Sequence, residues 1–479
     1  MNEPGYHIQF VFNDKVVSLS FDGSTELKPT TTVLNYLRSF PFHKGVKEGC
    51  AEGDCGACTV VLAEIKNDKL HYTTIDSCLV FLPMLHGKQL ITVENLANGK
   101  ELHPVQQQMV EQSGSQCGYC TPGIVMSLFG LYKNHHKPNR VVIEDALTGN
   151  LCRCTGYQPI IKAAEIACSI EDNDKFTLNS VKTKALLNEI NTHSPIVIET
   201  AKQKYYKPFT LLDALRLRSQ YPNAIIVNGA TDIALRQTKK RELLDEIIDI
   251  SDVKELKYFV EKQDYYSIGA GLQMEQLKLY AEKTLPALYQ MLQIFGSLQI
   301  RNVATIGGNI GSASPIGDTL PLLFAYKAKV KLQSSITERI CNIEDFIKGY
   351  RFTDLQKDEL ITEVMIPKPP VGTFIKSYKV SRRKDLDIST VSAGFSLLLE
   401  NNKVKEIILS YGGMAAQTIR AGKTEQFLLR KEWSRTFIED AMEILQEEFT
   451  PLSDARAEAN YRSTVARNLL LKFFAETSL

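Results

Sequence analysis

The stretch from residue 50 to residue 58, CAEGDCGAC, places three cysteines within nine residues and separates them with small residues. The chain has 10 cysteines, and eight of them lie in two groups within the first 154 residues. Cys168 and Cys341 stand apart from both groups, and we interpret them as ordinary buried residues. The N-terminal sequence lacks the features of a signal peptide, so we expect a reducing compartment in which disulfides are rare. The clustering therefore indicates metal ligation.

The first group consists of Cys50, Cys55, Cys58 and, after nineteen further residues, Cys78. Its C-x4-C-x2-C…C spacing is that of plant-type [2Fe-2S] ferredoxins. Glycines suit a loop that wraps around such a cluster, because they admit positive φ and let backbone N–H groups approach the sulfurs. Zinc is the alternative metal, although an opening gap of four residues is unusual for zinc-binding cysteines.

The residues around this group predict a β-grasp domain over residues 1–85. Short alternating strands joined by Asn-Asp turns occupy residues 7–12, 16–21, 59–65 and 70–74. Turns of this composition are typical of β-hairpins. Thr32 is a candidate N-cap for a short helix over residues 33–39.

The second group consists of Cys117-x2-Cys120 and, thirty-one residues later, Cys152-x-Cys154. Its surroundings predict four short helices over residues 86–170, with both cysteine pairs in loops. Thr121-Pro122 has the composition of an N-cap followed by the first helical residue. That helix would begin beside a thiolate, where its positive dipole end stabilises negative charge. Spacing alone leaves iron–sulfur and zinc both open for this group.

Composition limits the remaining possibilities. A chain of 479 residues is too long for one hydrophobic core, so we expect two to four domains. The 44% apolar and 23% charged residues are typical of a globular protein, and the net charge of +1 favours neither nucleic acid nor anionic membranes as partners. No apolar run is long enough to span a bilayer, so we expect a cytoplasmic protein.

Two glycine-bearing stretches follow, at residues 224–233 and 301–318. Neither contains the G-x-G-x-x-G pattern of a Rossmann dinucleotide site. Glycines and hydroxyl residues at turns nevertheless direct N–H and O–H donors at phosphate groups. Tight turns between strands are the alternative interpretation, and the residues alone leave both open.

The chain resembles the molybdenum hydroxylase family, whose electron-transfer part carries two [2Fe-2S] domains and a flavin domain. The cysteine segments GCAEGDCGACTV, QCGYCTPG and GNLCRCTGYQPI carry this resemblance, as do IIVNGATDI, TIGGNIGSASPIGD, GYRFTDLQKDELI and SYKVSRRKDLDIS further along. It implies an α+β multidomain protein and favours iron for both cysteine groups. The implied domains are a β-grasp [2Fe-2S] ferredoxin domain at 1–85, a four-helix [2Fe-2S] domain at 86–170, a linker at 171–192, a two-lobed α+β FAD-binding domain at 193–370 and its α/β C-terminal lobe at 371–479.

The resemblance also implies FAD contacts by motif position. They fall on Ile226, Val227, Asn228, Gly229, Ala230, Thr231, Asp232, Ile233, Phe295, Thr305, Asp318, Ile361 and Lys379. Relatives more often have glycine or asparagine where this chain has Ala230, so that contact is the least secure. Lys379 would stabilise negative charge on the reduced flavin. Tyr350 and Asp385 are candidates for the nicotinamide side, with plain surface residues as the alternative.

The function implied by the resemblance is electron transfer. Electrons would pass from a molybdenum cofactor on a large molybdopterin-binding partner subunit through two [2Fe-2S] clusters to FAD and then NAD, and we expect two small and two large subunits. The domain order in one chain resembles family members that oxidise hypoxanthine and xanthine to urate. Aldehydes or other N-heterocycles are alternative substrates, and a zinc-stabilised interaction protein is the alternative from a different class.

Overall fold

The computed structural model describes residues 6–23, 26–190 and 192–478. Its strands are β1 (His7–Phe12), β2 (Lys15–Ser20), β3 (Thr59–Lys66), β4 (Lys69–Asp76), β5 (Gln89–Ile91), β6 (Ile196–Glu199), β7 (Lys204–Lys207), β8 (Ile225–Val227), β9 (Glu246–Asp249), β10 (Phe259–Glu261), β11 (Tyr265–Gly269), β12 (Lys329–Gln333), β13 (Glu338–Asn342), β14 (Ile347–Gly349), β15 (Phe352–Thr353), β16 (Leu360–Pro367), β17 (Phe374–Val380), β18 (Val391–Glu400), β19 (Lys403–Gly412) and β20 (Ile419–Arg420).

Its helices are α1 (Val33–Ser39), α2 (Pro104–Glu111), α3 (Thr121–Asn134), α4 (Arg140–Leu147), α5 (Gln158–Ala167), α6 (Lys175–Leu178), α7 (Ser180–Asn188), α8 (Leu211–Gln220), α9 (Ala234–Thr238), α10 (Met274–Thr284), α11 (Pro286–Gln293), α12 (Leu298–Arg301), α13 (Ile306–Gly311), α14 (Thr319–Ala325), α15 (Ile343–Phe346), α16 (Gly422–Leu428), α17 (Arg435–Glu448) and α18 (Ala459–Thr477).

The chain forms two compact units. The first takes in the described part of residues 1–217 together with 223–254 and 297–304, and the second comprises residues 218–222, 255–296 and the described part of 305–479. The region that we predicted as the FAD-binding domain, 193–370, is therefore divided between the two units. The domain bounds themselves stay predictions.

The first unit begins with a five-stranded sheet in the order β2-β1-β5-β3-β4, in which only β1 and β5 are parallel. The predicted hairpin turns form as expected, with positive φ at Asn67 (51°) and Asp68 (59°). Such a two-residue turn matches the right-handed twist of the strands that it joins. Helix α1, capped by the Thr32 side chain, packs its buried face into the core beneath this sheet. The β-grasp arrangement is the one that the sequence predicted.

Four helices, α2 to α5, follow as predicted and enclose a core with Ile124, Phe129 and Ile160 fully buried. One detail of the prediction was wrong. Helix α3 begins at Thr121, so Cys120 occupies the N-cap position and Thr121 is the first helical residue. The cysteine therefore lies one residue closer to the positive end of the helix dipole than we expected.

The segment predicted as a linker, 171–192, contains two helices. Helix α7 buries Leu187 against Val11 of the sheet, together with Ile190 just beyond the helix. Helix α6 is capped by Asp174, whose carboxylate accepts from the Thr177 N–H at 2.8 Å. Sequence analysis did not predict these helices, because they are short and have weak periodicity. Tertiary contacts and capping, rather than an amphipathic pattern, stabilise them.

A second sheet of the first unit has the order β6-β7-β9-β8, with β7, β9 and β8 parallel. At the carboxyl ends of these strands, the fully buried Lys207 lies 2.8 Å from both Asp249 and Asp252. The Tyr205 hydroxyl also donates to Asp249.

Residues 297–304 belong to the same unit, and the fully buried Arg301 donates to both carboxylate oxygens of Asp145 at 2.7 and 2.8 Å.

The second unit contains two larger antiparallel sheets. One has the order β10-β11-β16-β12-β13 and the other β17-β18-β19-β20, and β14 pairs with β15 separately. Helices α17 and α18 cover the second sheet, and the core between them includes Phe395, Tyr411 and Phe473. The α+β multidomain class is thus confirmed. No helix in the described part of the chain is long and apolar enough to cross a lipid bilayer.

Asp174 holds the 171–192 segment through a buried charge network, and we predict that Asp174→Asn loosens it. Its carboxylate lies 3.0 Å from His103 Nε2 and 3.1 Å from Lys133 Nζ. Burial acts to raise the pKa of Asp174, but the His103 hydrogen bond and the Lys133 charge outweigh it and lower the pKa to about 2. A shift of this size corresponds to about 2 kcal/mol at neutral pH.

An amide at position 174 would keep the cap but leave Lys133 with less compensation. Hydrogen exchange at pH 7 checks this, with amides of α6 and α7 expected to lose about 2 kcal/mol of protection. Asp172→Asn is the matched control, because this second Lys133 partner is about a third exposed, and we expect a loss below about 1 kcal/mol. Equal losses in the two variants would contradict the assignment.

Candidate functional site

Hairpin register brings Cys58 and Cys78 together. The turn at Asn67-Asp68 pairs Thr59 with Asp76, so the residues that flank the hairpin, Cys58 and Ser77, face one another. The Ser77 hydroxyl donates to the Cys58 carbonyl at 2.7 Å. Both thiols are buried, and they contact each other. Two of the four predicted ligands of the first group are thus positioned by a sheet rather than by a flexible loop.

The other two ligands of the first group, Cys50 and Cys55, lie in the loop between α1 and β3. The N–H groups of Glu52 and Asp54 donate to Cys50 Sγ at 3.4 and 3.2 Å, and the Cys50 N–H donates to Cys55 Sγ at 3.3 Å. A hydrogen bond from the Cys55 thiol and these backbone donors outweigh burial and lower the pKa of Cys50 to about 5. The loop therefore stabilises negative charge on Cys50, whereas the same thiol hydrogen bond and burial raise the pKa of Cys55.

The second cysteine group lies at the beginnings of two helices. Cys120 occupies the N-cap position of α3, and Cys152 and Cys154 precede α5. The Cys152 N–H donates to the Tyr157 hydroxyl at 2.7 Å, and Cys152 Sγ lies 3.3 Å from Thr155 Oγ1. Burial raises the pKa of Cys152, but hydrogen bonds from Thr155 outweigh it, and the net effect lowers the pKa to about 7.

The eight thiols lie in four pairs. The pairs are Cys50 with Cys55, Cys58 with Cys78, Cys117 with Cys154, and Cys120 with Cys152. A [2Fe-2S] cluster takes two protein ligands on each of its two irons, so two pairs per group fit two such clusters. Within the described residues, no group of three or more His, Cys, Asp or Glu side chains surrounds a position for a single metal ion. The donor set and its backbone N–H groups suit iron–sulfur clusters.

Backbone contact joins the two cysteine loops. Gly56, with φ of 67°, lies so close to residues 149 and 150 that a Cβ there would overlap the Gly149 carbonyl oxygen. On the other side, a Cβ on Gly123 would overlap the Gly56 carbonyl oxygen. The Leu151 N–H donates to the Cys55 carbonyl at 3.1 Å. The two predicted cluster sites are thus held by one continuous backbone contact.

The predicted FAD residues 226–233 comprise the end of β8 and the turn that joins it to α9 in the first unit. Ala230 is buried and has φ of 60°, a conformation that costs an L-residue about 1 kcal/mol. This conformation accounts for the preference for glycine or asparagine at this position that the resemblance implies. Gly229 lies against the backbone of Val303 and Ala304, which leaves no room for a side chain. The turn is tight, as both interpretations of the sequence required.

In the second unit the structure brings Asp318, Lys379 and the chain next to Phe295 together. Lys379 Nζ lies 2.9 Å from Asp318 Oδ2 and 3.0 Å from the carbonyl oxygen of Ile294, which precedes Phe295. The Ser389 hydroxyl donates to the other Asp318 oxygen. The ammonium is almost completely buried and is compensated by the carboxylate.

Thr305 and Ile361 lie at helix α13 in the same unit. The Thr305 side chain caps α13 by accepting from the Gly308 N–H at 3.2 Å, and Ile361 lies beside Gly311. The Thr319 hydroxyl, at the start of α14, donates to Asn309 of α13. Helices α13 and α14, which begin directly after Thr305 and Asp318, are therefore joined by the Thr319–Asn309 hydrogen bond.

Several other expectations have simple outcomes. Cys168 is buried as expected, whereas Cys341 is partly exposed on β13, so its expectation was wrong. Tyr350 is exposed, and Asp385 is half-buried.

Sequence reasoning missed Asp76, whose buried carboxyl lies 3.7 Å from Cys58 Sγ. The hairpin register, which places Asp76 beside Thr59, was the signal that would have found it.

Comparison with known families identifies three domains. Residues 92–165 match a [2Fe-2S] binding domain, residues 199–369 match the FAD binding domain in molybdopterin dehydrogenase, and residues 376–477 match the CO dehydrogenase flavoprotein C-terminal domain. These matches confirm a [2Fe-2S] domain and an FAD-binding domain in this chain.

Relatives align with nearly the whole chain. The xanthine dehydrogenase of Emericella nidulans is 32% identical over 98% of the chain, and the xanthine dehydrogenase/oxidase of Mus musculus is 32% identical over 97%. The chain spans 38% of the length of each. A solved chain of CO dehydrogenase from Oligotropha carboxidovorans matches 58% of this chain and 98% of its own length, with a TM-score of 0.54 and 24% identity. A chain of quinoline 2-oxidoreductase from Pseudomonas putida 86 matches 58% of this chain and 97% of its own length, with a TM-score of 0.53 and 23% identity. These likenesses show a shared fold.

Taken together, the domains and relatives show that the chain belongs with the iron–sulfur and FAD part of the molybdenum hydroxylases. The two relatives described above, a xanthine dehydrogenase and a xanthine dehydrogenase/oxidase, align with nearly all of it. The family predicted from the cysteine and glycine segments is therefore confirmed, while the individual ligands and FAD contacts stay predictions.

We predict that Gly123→Ala disrupts the first cysteine loop although the substituted residue lies in the helical domain. Its new methyl group would overlap the Gly56 carbonyl oxygen, and backbone atoms cannot move aside as a flexible side chain would. Overpacking of this kind costs about 1–3 kcal/mol or more. Iron analysis and visible absorbance should show a loss of about half of the bound iron or more.

Gly422→Ala is the control, because a Cβ at this helical glycine meets nothing within 4 Å. It should keep the wild-type iron content. Full iron content in Gly123→Ala would show that the two loops are not in close backbone contact.

Proposed function

We propose that this chain is the electron-transfer part of a xanthine dehydrogenase, carrying electrons from a molybdenum cofactor on a partner subunit to FAD and NAD during oxidation of hypoxanthine and xanthine to urate. The four thiol pairs are the observation that carries this proposal, because they provide two separate two-iron sites in one chain. Xanthine dehydrogenase relatives that align with 97–98% of the chain support the choice within the family.

When bound, the clusters accept and release single electrons, and FAD converts between one-electron and hydride chemistry. We assign Cys50, Cys55, Cys58 and Cys78 to one cluster, with the Glu52 and Asp54 N–H groups offsetting its negative charge. The second ligand set is Cys117, Cys120, Cys152 and Cys154. There the start of α3 contributes its positive dipole end at Cys120.

For the flavin we propose contacts from the residues that the resemblance implied. Residues 226–233 would contribute a tight turn of backbone N–H groups to the phosphates. Asp318 would accept from ribityl or ribose hydroxyls and at the same time hold the Lys379 ammonium, which would stabilise negative charge on the reduced ring. Phe295, Thr305 and Ile361 would complete the contacts.

The partner in this proposal is a molybdopterin-binding large subunit, in a cytoplasmic assembly of two small and two large subunits. Matched relatives are much longer than this chain, and the aligned part is 38% of their length. Oxidation of the organic substrate would take place on the part of the assembly that this chain does not match. Aldehydes or other N-heterocycles are the alternative substrates, and turnover by the native complex separates them from xanthine.

The test uses the native complex, isolated through an affinity tag on this chain and analysed for molybdenum, iron and flavin. Xanthine and NAD are added without oxygen, and NADH absorbance is followed. Steady NADH formation supports both substrate and acceptor. Bleaching of the iron and flavin absorbance without NADH keeps xanthine and excludes NAD, and no bleaching in a molybdenum-loaded complex excludes xanthine. Quinoline and an aromatic aldehyde serve as parallel substrates.

We predict that Asp318→Ala lowers flavin content and leaves iron content unchanged. The substitution removes the carboxylate that compensates the buried Lys379 ammonium and that would bind flavin hydroxyls. Hydrogen bonds to charged groups contribute about 1.5–3 kcal/mol, so FAD should bind at least about tenfold more weakly. Flavin and iron per chain are measured on the purified protein.

Asp345→Ala is the matched control, since this exposed aspartate of the same unit accepts a hydrogen bond at 2.9 Å from the side chain of Asn342, three residues away. It should retain FAD fully. Full flavin occupancy in Asp318→Ala would mean that the FAD site is misplaced.

A further inference from the structure

A buried amide lies where the two cysteine loops meet. Asn150 is 2% exposed and follows Gly149 directly, two residues before Cys152. Its Nδ2 donates to the Gly56 carbonyl at 3.1 Å and to Thr59 Oγ1 at 3.3 Å. Gly56 follows Cys55, and Thr59 follows Cys58. One side chain from the second cysteine loop thus holds both ends of segment 56–59, which contains the predicted ligand Cys58 and directly follows the predicted ligand Cys55.

The acceptor side of the same amide is also occupied. Asn150 Oδ1 accepts from the Ser127 hydroxyl at 2.6 Å and from Gln299 Nε2 at 2.9 Å. Gln299 Nε2 lies 3.0 Å from the Ser127 hydroxyl as well. An asparagine amide offers two donors and two acceptor lone pairs, and here all four positions are used. The amide is therefore fixed in orientation by groups from three separate parts of the first unit.

Stability alone does not account for this group of three buried polar side chains. Ser127 and Gln299 are as completely buried as Asn150, and Gln299 Oε1 has no hydrogen-bond partner. An unsatisfied buried acceptor costs about 1–3 kcal/mol, and an apolar core of the same volume would avoid that cost. Buried polar groups of this kind are retained in some proteins because they specify one geometry.

The geometry that Asn150 specifies is the contact between the two ligand sets. Beside it, the Leu151 N–H donates to the Cys55 carbonyl at 3.1 Å. That hydrogen bond joins the residue of one predicted ligand, Cys55, to the immediate neighbour of another, Cys152. A shift of the Asn150 amide would move both loops relative to each other.

We propose that Asn150 is a positioning residue that holds the two iron–sulfur loops at a fixed separation, with Gln299 and Ser127 locking its amide. This inference rests on the proposed function, in that both loops carry clusters. The hydrogen bonds of the Asn150 side chain go to groups other than the ligand thiols, so it acts through Gly56, Thr59 and the Leu151–Cys55 hydrogen bond.

The test compares Asn150→Ala and Asn150→Asp with Asn302→Ala in the purified holoprotein. Asn302 is a matched control, because its Nδ2 donates to a carbonyl and a hydroxyl, both of Thr74, at 2.9 and 3.2 Å. The aspartate variant keeps the size of the side chain but turns a carboxylate oxygen toward the Gly56 carbonyl. Ser127→Ala, which removes one of the four hydrogen bonds of the Asn150 amide, is a milder variant should the others fail to fold.

The first measurement is hydrogen exchange at the Leu151 amide. Asn150→Ala removes the two hydrogen bonds that reach Gly56 and Thr59 of the first loop, of about 1 kcal/mol each, so we expect exchange about tenfold faster or more. Exchange should also be faster in Asn150→Asp but unchanged from the wild type in Asn302→Ala. The milder Ser127→Ala should change exchange in the same direction by a smaller factor. Equal exchange in the Asn150 and Asn302 variants would overturn the proposal.

The second measurement is the magnetic interaction between the two reduced clusters in the EPR spectrum, which falls with the cube of their separation. We expect a weaker or more widely distributed interaction in the Asn150 variants with iron content unchanged, and the wild-type interaction in Asn302→Ala. An unaltered interaction in both Asn150 variants would overturn the proposal. Absence of two iron signals in the wild type would instead count against the proposed function, and the exchange measurement would still decide the role of Asn150.

Discussion

Direct backbone contact between Gly56 and residues 149–150 is the constraint on which the cysteine-bearing part of the first unit depends. A Cβ on Gly56 would overlap the Gly149 carbonyl oxygen, and a Cβ on Gly123 would overlap the Gly56 carbonyl oxygen. Close packing makes such a contact rigid, because backbone atoms cannot move aside as the end of a flexible side chain can. The two predicted ligand sets are therefore held together by direct backbone contact, although they come from a β-grasp fold and a helical fold.

Each ligand set is anchored by the secondary structure that its own domain favours. In the first, a two-residue hairpin turn determines the register of β3 and β4 and so places Cys58 beside Cys78. In the second, Cys120 occupies the N-cap position of α3, and α5 begins four residues after Cys154. Regular elements position side chains more accurately than loops do. Cys50 and Cys55 lie instead in a loop, where backbone N–H groups donate to their sulfurs.

Sequence analysis could predict what depends on local spacing. The hairpins, the four helices and the eight cysteine positions all follow from patterns within about twenty to thirty residues. Asn150 was missed as a distinct feature because its partners, Gly56, Ser127 and Gln299, are separated from it by up to 149 residues. The helices of segment 171–192 were missed for the same reason, since His103 and Lys133 lie far from Asp174 in the chain. Pairings of this kind exist only once the chain is folded.

Buried charge has a different role in the second unit. Lys379 is compensated by Asp318, which is itself held by Ser389, so the cation is kept in place without solvent. The Ile294 carbonyl accepts from the same ammonium, which ties the chain next to Phe295 to this position. Breaking one partner of such a group leaves the other uncompensated, and the cost is then several kcal/mol. A lysine held in this way keeps a fixed position, whereas a solvated surface lysine would be screened and mobile. The Lys379–Asp318 pair is therefore positioned by the protein itself, through the Ser389 hydroxyl and the Ile294 carbonyl.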